Sequence, residues 1–146
     1  MRRLPAVLAA LAVLGACGGD DVGAGVSVTD AWARTTPAGV TVGAVYLRAS
    51  SDVGDELVGA DVDPAIAQSA ELHTTETAQD GTATMAPRRA LDVPAGGELV
   101  LEPIGSHLML VGLADPLTTG ETFDVTLHFA TAGEQVVQVQ VRGDAP

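Results

Sequence analysis

Cysteine is nearly absent from this chain of 146 residues, because Cys17 is the only one. A disulfide within the chain is therefore excluded. Cys17 also follows an apolar N-terminal leader, so we expect no thiolate inside the fold. This scarcity excludes a zinc site built on cysteines, an iron–sulfur cluster, a cysteine nucleophile and a blue-copper electron-transfer site, since each of these requires cysteine sulfur.

Basic residues are also scarce, with 7 lysines and arginines against 19 aspartates and glutamates, for a net charge of −12. A chain this acidic has too few basic side chains to contact the phosphates of a nucleic acid, so we expect no binding to nucleic acid. The sequence further lacks a nucleophile elbow, a His-Glu-x-x-His helix and a phosphate-binding glycine loop. These absences favour a binding protein over an enzyme.

The N-terminal segment is typical of an exported protein. Arg2 and Arg3 precede an apolar run over residues 4–16, which is too short to span a membrane comfortably. The run ends in Leu-Gly-Ala-Cys at Cys17, which resembles the lipobox of bacterial lipoproteins. The segment predicts a protein anchored to the outer face of the cell membrane and divided into three parts: a signal peptide over 1–16, a flexible tether over 17–25 that begins at the lipidated Cys17, and one domain over 26–142.

Within the predicted domain, apolar residues recur with a period of two, which indicates β-strands. The alternation is clearest over Phe123–Phe129 and Gln135–Val141, which are separated by a glycine-containing hairpin turn. Only Pro64–Ala70 suggests a helical turn. Further strands are predicted over Thr41–Ala49, Glu56–Val62 and Gly97–Glu102. The pattern predicts an all-β domain, built as an antiparallel sandwich or a closed antiparallel sheet.

The candidate functional residues are two histidines and two methionines: His73, Met85, His107 and Met109. In a strand, His107 and Met109 project from one face about 7 Å apart, whereas Leu108 projects toward the core. Imidazole and thioether are neutral, fairly soft ligands, and a set that contains thioethers selects Cu(I) over hard cations. Zinc usually takes cysteine, histidine or carboxylate ligands, so methionine favours copper.

A structural role for these residues is the alternative. Methionine commonly fills gaps in hydrophobic cores, and a lone histidine is commonly a surface residue. Met85 lies in a polar context that predicts a loop, which argues against a core role. His128 is interpreted as a solvated residue, and Trp32 and Arg34 as structural residues. From spacing alone, a metal site and an incidental placement both remain open.

The spacing resembles the signature of the PCu(A)C family of periplasmic copper chaperones, in which a histidine, a methionine and a His-x-Met pair follow one another at these intervals. The likeness covers residues 28–141. It extends beyond the four candidates to three blocks: Asp30–Arg34 with Pro37, Gly43–Leu47, and His107–Leu113 with Pro116, Leu117 and Gly120. One position departs from the family pattern, because Thr74 stands where a methionine often follows the first histidine.

The resemblance implies a cupredoxin-like Greek-key β-sandwich. It also implies one Cu(I) bound by His73, Met85, His107 and Met109, and delivery of that copper to the CuA centre of cytochrome c oxidase or to an assembly chaperone of the oxidase. Two alternatives retain the anchor but change the role. One is copper storage or tolerance, and the other is a structural lipoprotein without a metal.

Overall fold

The computed structural model describes residues 25–143, so the predicted signal peptide, Cys17 and nearly all of the predicted tether lie outside the described residues. The described residues form ten strands: β1 (Val26–Arg34), β2 (Val42–Ser51), β3 (Asp55–Val62), β4 (Ala67–Thr77), β5 (Ala83–Pro87), β6 (Leu91–Val93), β7 (Gly97–Leu101), β8 (Ser106–Leu113), β9 (Thr122–Phe129) and β10 (Gly133–Arg142). Within this range no helix reaches the length and apolarity that crossing a bilayer demands. The prediction of an all-β domain is confirmed.

The strands form one hydrogen-bonded sheet in the order β5-β4-β8-β7-β2-β1-β10-β9-β3-β6. Each named strand pair is antiparallel except β1–β10 and β7–β8. The sheet folds over its buried face, so that β3 also pairs with β4, and β8 also pairs with β2. As a result, β5, β4, β8 and β2 lie side by side although long stretches of sequence separate them.

The inward faces of the strands enclose a single hydrophobic core. With only 3% aromatic residues in the chain, leucine and valine fill most of this space. Burying one such side chain contributes about 1.5–3 kcal/mol. The largest fully buried side chains are Leu47, Leu57, Leu108, Leu110, Leu127, Val26, Val45, Val93, Val125, Val139 and Val141. Because close-packed cores resist deformation, the strands hold their outer faces in fixed positions.

The helical turn suggested for Pro64–Ala70 is present only in its first half. The Ile66 amide donates to the Asp63 carbonyl at 2.8 Å, which closes a short turn. Ala67 then begins β4, where it lies opposite Leu113 of β8. The expectation is wrong for residues 67–70, because cross-strand pairing with β8 extends the chain there.

The β9–β10 hairpin forms at the predicted turn, and Asp55 at the start of β3 holds it in place. The Asp55 carboxylate accepts hydrogen bonds from the amides of Thr131 at 2.9 Å and Ala132 at 2.8 Å. It also accepts one from the amide of Glu56 at 2.8 Å. Burial acts to raise the pKa of the Asp55 carboxyl, but these hydrogen bonds outweigh it and hold that pKa below its usual value.

Candidate metal site

The four candidate residues project from one outer face of three adjacent strands. His73 of β4 lies directly opposite His107 of β8. Met85 of β5 lies opposite Thr75 of β4, two residues beyond His73. Opposed residues in an antiparallel ladder share a face, as do residues two apart in one strand. Met109 therefore joins the same face, because it follows His107 by two positions in β8.

The two histidines form the buried part of this site. Their ring centroids are 6.0 Å apart, with an angle of 35° between the ring planes. His73 is 9% exposed and His107 is 4% exposed. A pair of imidazoles at this separation can bind one ion between them after small side-chain adjustments.

Each imidazole has one nitrogen held by an oxygen. The Nδ1 atom of His107 lies 3.2 Å from the carbonyl oxygen of Gly105, in the loop before β8. The Nε2 atom of His73 lies 3.2 Å from Oε2 of Glu71. Within the described residues, the Nδ1 atom of His73 is buried and has no hydrogen-bond partner. Oxygen partners like those of Gly105 and Glu71 are the groups that orient histidine ligands in metal sites.

The two methionines line an open cavity of about 250 Å³ together with His107. The side chain of Met109 is half-buried, and Ala44 of β2 lies opposite it. Met85 is 58% exposed, because β5 is the edge strand of the sheet. The sequence context of Met85 predicted a loop, which is wrong, since backbone pairing with β4 makes this segment a short strand.

The donors of this face suit a soft metal ion. Among residues 25–143, no group of three or more His, Cys, Asp or Glu side chains is placed to hold a metal ion. The two imidazoles and two thioethers are uncharged when they coordinate, so they suit Cu(I) better than a hard divalent cation. The opening at Met85 leaves this donor accessible from outside.

Tyr46 is a neighbour of the site that the sequence patterns did not single out. It is buried on β2 and lines the cavity beside Met109 and Arg34. Burial raises the pKa of the Tyr46 phenol, and the nearby Arg34 guanidinium opposes that rise. Trp32, which pairs with Tyr46 across β1 and β2, packs against it with ring centroids 4.7 Å apart. The alternation of β2 could have indicated Tyr46, because it lies two positions after Ala44.

Thr74, which directly follows His73, projects from the opposite face of β4. Its Oγ1 atom lies 3.0 Å from Oγ of Ser106 on β8. Since strand side chains alternate, a methionine in this position would start on the side away from His107 and Met109. Position 74 therefore does not lie on the face that carries the four candidate residues.

His128 lies apart from the candidate site, on β9. This strand pairs with β3 and β10 rather than with β4 or β8. The Nε2 atom of His128 is 2.6 Å from Oδ2 of Asp61, and its Nδ1 atom is 3.5 Å from Oε1 of Glu134. With a different carboxylate beside each ring nitrogen, His128 is a partly exposed residue in an acidic surface cluster.

Comparison with known proteins identifies relatives of this chain. The family model described as "Putative lipoprotein LpqE-like" matches residues 26–141. A relative from Leifsonia xyli subsp. xyli, named "Putative lipoprotein Lxx21020", is 33% identical over 118 residues, which cover 81% of this chain and 70% of that protein.

Two solved structures share the architecture. The copper-bound PCuAC domain from PmoF2 is 25% identical, with a TM-score of 0.66, over 82% of this chain and 93% of that one. The Cu(I) form of DR1885 from Deinococcus radiodurans is 32% identical, with a TM-score of 0.58, over 84% of each chain. The expected cupredoxin-like Greek-key β-sandwich and the resemblance to PCu(A)C domains are confirmed. Because the family match spans most of its length, this chain belongs to the LpqE-like family, and its domain has the PCuAC fold.

Proposed function

We propose that this protein is an extracytoplasmic copper chaperone that binds one Cu(I) through His73, Met85, His107 and Met109. The observation that carries the proposal is the placement of His73 opposite His107, with ring centroids 6.0 Å apart and both methionines on the same face. Two related PCuAC domains are copper-bound, which supports copper as the metal.

The arrangement of the donors suits transfer rather than permanent retention. The two imidazoles are buried, whereas the thioether of Met85 stands at the exposed edge of the sheet. An incoming ligand can replace this outer donor while the imidazoles still hold the ion. Thiolate is a stronger ligand for Cu(I) than thioether, so transfer to a site with cysteine ligands runs downhill.

We further propose that the copper acceptor is the CuA centre of cytochrome c oxidase or an assembly chaperone of that oxidase. The CuA centre is ligated by cysteine and histidine, which matches the downhill direction. The acidic composition favours a partner with a basic docking surface. Storage or tolerance without delivery is the outcome that the transfer experiment below distinguishes.

The proposed location is the outer face of the cell membrane. The family description and the name of the Leifsonia relative both support a lipoprotein. We propose removal of residues 1–16, acylation of Cys17, a tether over residues 17–25, and a copper-binding domain over residues 26–142. A membrane-bound donor on a glycine-rich tether can search the membrane surface for a membrane-bound acceptor.

The test is copper binding followed by transfer. The mature protein, extracted in detergent, is titrated with Cu(I) against a competing chelator, and we expect one Cu(I) per chain. The variant His107→Ala should lose this binding, whereas His128→Ala, which removes a histidine outside the site, should keep it.

In the second step, the loaded protein is mixed with an apo CuA domain, and copper is followed by mass spectrometry and by the visible spectrum of the acceptor. Appearance of metallated acceptor supports delivery. If the wild type takes up copper but metallates neither the CuA domain nor any oxidase assembly chaperone, the delivery role is wrong.

A further inference from the structure

Glu71 is the polar side chain that holds His73 in place. It lies on β4 two residues before His73, hence on the same face, and directly opposite Met109. Its Oε2 atom is 3.2 Å from Nε2 of His73, and its Oε1 atom is 3.3 Å from the hydroxyl of Ser69. Both carboxylate oxygens therefore have partners within β4, which fixes the direction in which Glu71 faces His73.

This contact determines where His73 carries its proton. An ionised carboxylate only accepts hydrogen bonds, so Nε2 of the neutral His73 ring must be the donor. The proton on Nε2 leaves the lone pair of His73 on Nδ1. That Nδ1 atom is buried and has no hydrogen-bond partner among residues 25–143. A buried acceptor without a partner is costly, and a bound metal ion removes the cost by taking up the lone pair.

His107 is arranged in the opposite way. Its Nδ1 atom lies 3.2 Å from the Gly105 carbonyl oxygen, which only accepts hydrogen bonds, so Nδ1 carries the proton. The same carbonyl oxygen accepts a hydrogen bond from the amide of Thr75 at 3.2 Å, which connects the loop before β8 to β4. The lone pair of His107 is therefore on Nε2.

We propose that Glu71 is a positioning residue that fixes His73 as the Nε2–H tautomer, so that His73 binds copper through Nδ1 while His107 binds it through Nε2. The part of this inference that concerns which ring nitrogens bind copper rests on the proposed copper function. The tautomers themselves belong to the metal-free protein. Two different imidazole nitrogens then face one ion, and the Glu71 carboxylate stays beside Nε2, the nitrogen of His73 that does not bind copper.

The experiment reads the tautomers directly. Long-range ¹⁵N–¹H correlation spectra of the ¹⁵N-labelled, metal-free mature protein report which ring nitrogen carries the proton. We expect the Nε2–H pattern for His73 and the Nδ1–H pattern for His107. In Glu71→Ala, His73 should shift to a mixture of tautomers, while His107 keeps its pattern. Glu71→Gln, whose amide oxygen still accepts a hydrogen bond, should restore the Nε2–H pattern of His73.

Copper binding gives the second readout. Loading with Cu(I) should shift the ¹⁵N resonances of Nδ1 in His73 and Nε2 in His107. Loss of such a supporting partner typically weakens metal binding by about 10- to 100-fold, so Glu71→Ala should fall in this range, with Glu71→Gln in between. The control is Glu98→Ala on β7, which removes a carboxylate that contacts Arg48 of β2 rather than a candidate ligand, and which should leave the affinity unchanged.

The outcomes separate this inference from the proposed function. A proton on Nδ1 of metal-free His73, or a copper-dependent shift at its Nε2, overturns the role of Glu71 even if copper binds tightly. Absence of copper binding by the wild type overturns the copper function. In that case the tautomers of the metal-free protein still decide whether Glu71 positions His73.

Discussion

Leu108 and Met109 are consecutive residues of β8 that project from opposite faces of the sheet. Leu108 is fully buried in the core opposite Leu72, whereas Met109 lines the open cavity beside His107. The same strand therefore packs into the core through Leu108 and presents a candidate copper donor through Met109. This separation makes binding and stability independently testable at adjacent positions.

Met109→Ala should weaken Cu(I) binding with little effect on folding. The substitution removes one of two thioethers, and we expect a loss of at least about tenfold in affinity, since fewer soft donors remain for Cu(I). Because Met109 is half-buried on the outer face, its truncation leaves no core cavity. Chelator competition and thermal unfolding measure the two effects. Unchanged Cu(I) affinity in this variant would exclude Met109 from the ligand set.

Leu108→Ala should have the opposite profile. Truncating a fully buried leucine typically costs about 2–5 kcal/mol of unfolding free energy. Leu108 offers no donor atom to a metal, so the folded fraction should bind Cu(I) with nearly the affinity of the wild type. Urea unfolding gives the first quantity, and a Cu(I) titration at low temperature gives the second. A destabilisation well below 1 kcal/mol would contradict the core position of this side chain.

Asp55→Asn should destabilise the fold at neutral pH and flatten its response to acid. The hydrogen bonds from the turn amides hold the pKa of Asp55 below its usual value, so its carboxylate stabilises the folded state above that usual value, about pH 4. The contribution is lost as the pH falls through the lowered pKa of the folded protein. We expect about 1 kcal/mol at pH 7, since Asp55 is partly exposed.

The measurement for Asp55 is urea unfolding of the wild type and Asp55→Asn between pH 7 and pH 3. The difference in unfolding free energy between the two proteins should shrink as the pH falls below about 4. Asp80→Asn is the comparison, since Asp80 is a fully exposed carboxylate that accepts the Thr82 amide in a separate turn, and it should change the unfolding free energy less than Asp55→Asn does. A difference for Asp55 that grows in acid contradicts the assigned direction.

Cys17→Ser should release the exported protein from the membrane. The side chain of serine offers no thiol for thioether formation, so the acyl anchor cannot be attached. We expect the wild type in the detergent phase of cell extracts and the variant in the aqueous phase. Intact mass spectrometry should show an acylated N-terminal Cys17 in the wild type. An unmodified Cys17 at the N-terminus, or a mature chain that starts elsewhere, contradicts the prediction.

The sequence predicts the strands whose two faces differ most in polarity. β9 and β10 alternate over nearly their whole length, and their turn carries a glycine, so the sequence predicts both strands and the turn between them. The same alternation does not predict β4, because its residues 67–71 are small or polar on both sides. Its identity as a strand depends on the backbone ladder with β8, and local periodicity does not report such a partner.

The candidate site is predictable from the sequence only where its residues share a strand. The shared face of His107 and Met109 follows from their spacing within one strand. The pairing of His73 with His107 joins positions 34 residues apart, and Met85 reaches the face through a separate edge strand. The contact of Tyr46 with the cavity and the hydrogen bond of Glu71 to His73 depend on side-chain packing that spacing does not specify.

The exposure of Met85 on an edge strand also gives the site a chemical weak point. Peroxide reaches an exposed thioether more readily than a half-buried one, so Met85 should be oxidised to its sulfoxide before Met109. A sulfoxide presents a polar oxygen in place of the soft sulfur that Cu(I) prefers. At the proposed copper site, oxidation of this one accessible sulfur atom would therefore lower the affinity for Cu(I), and methionine sulfoxide reductase would restore it.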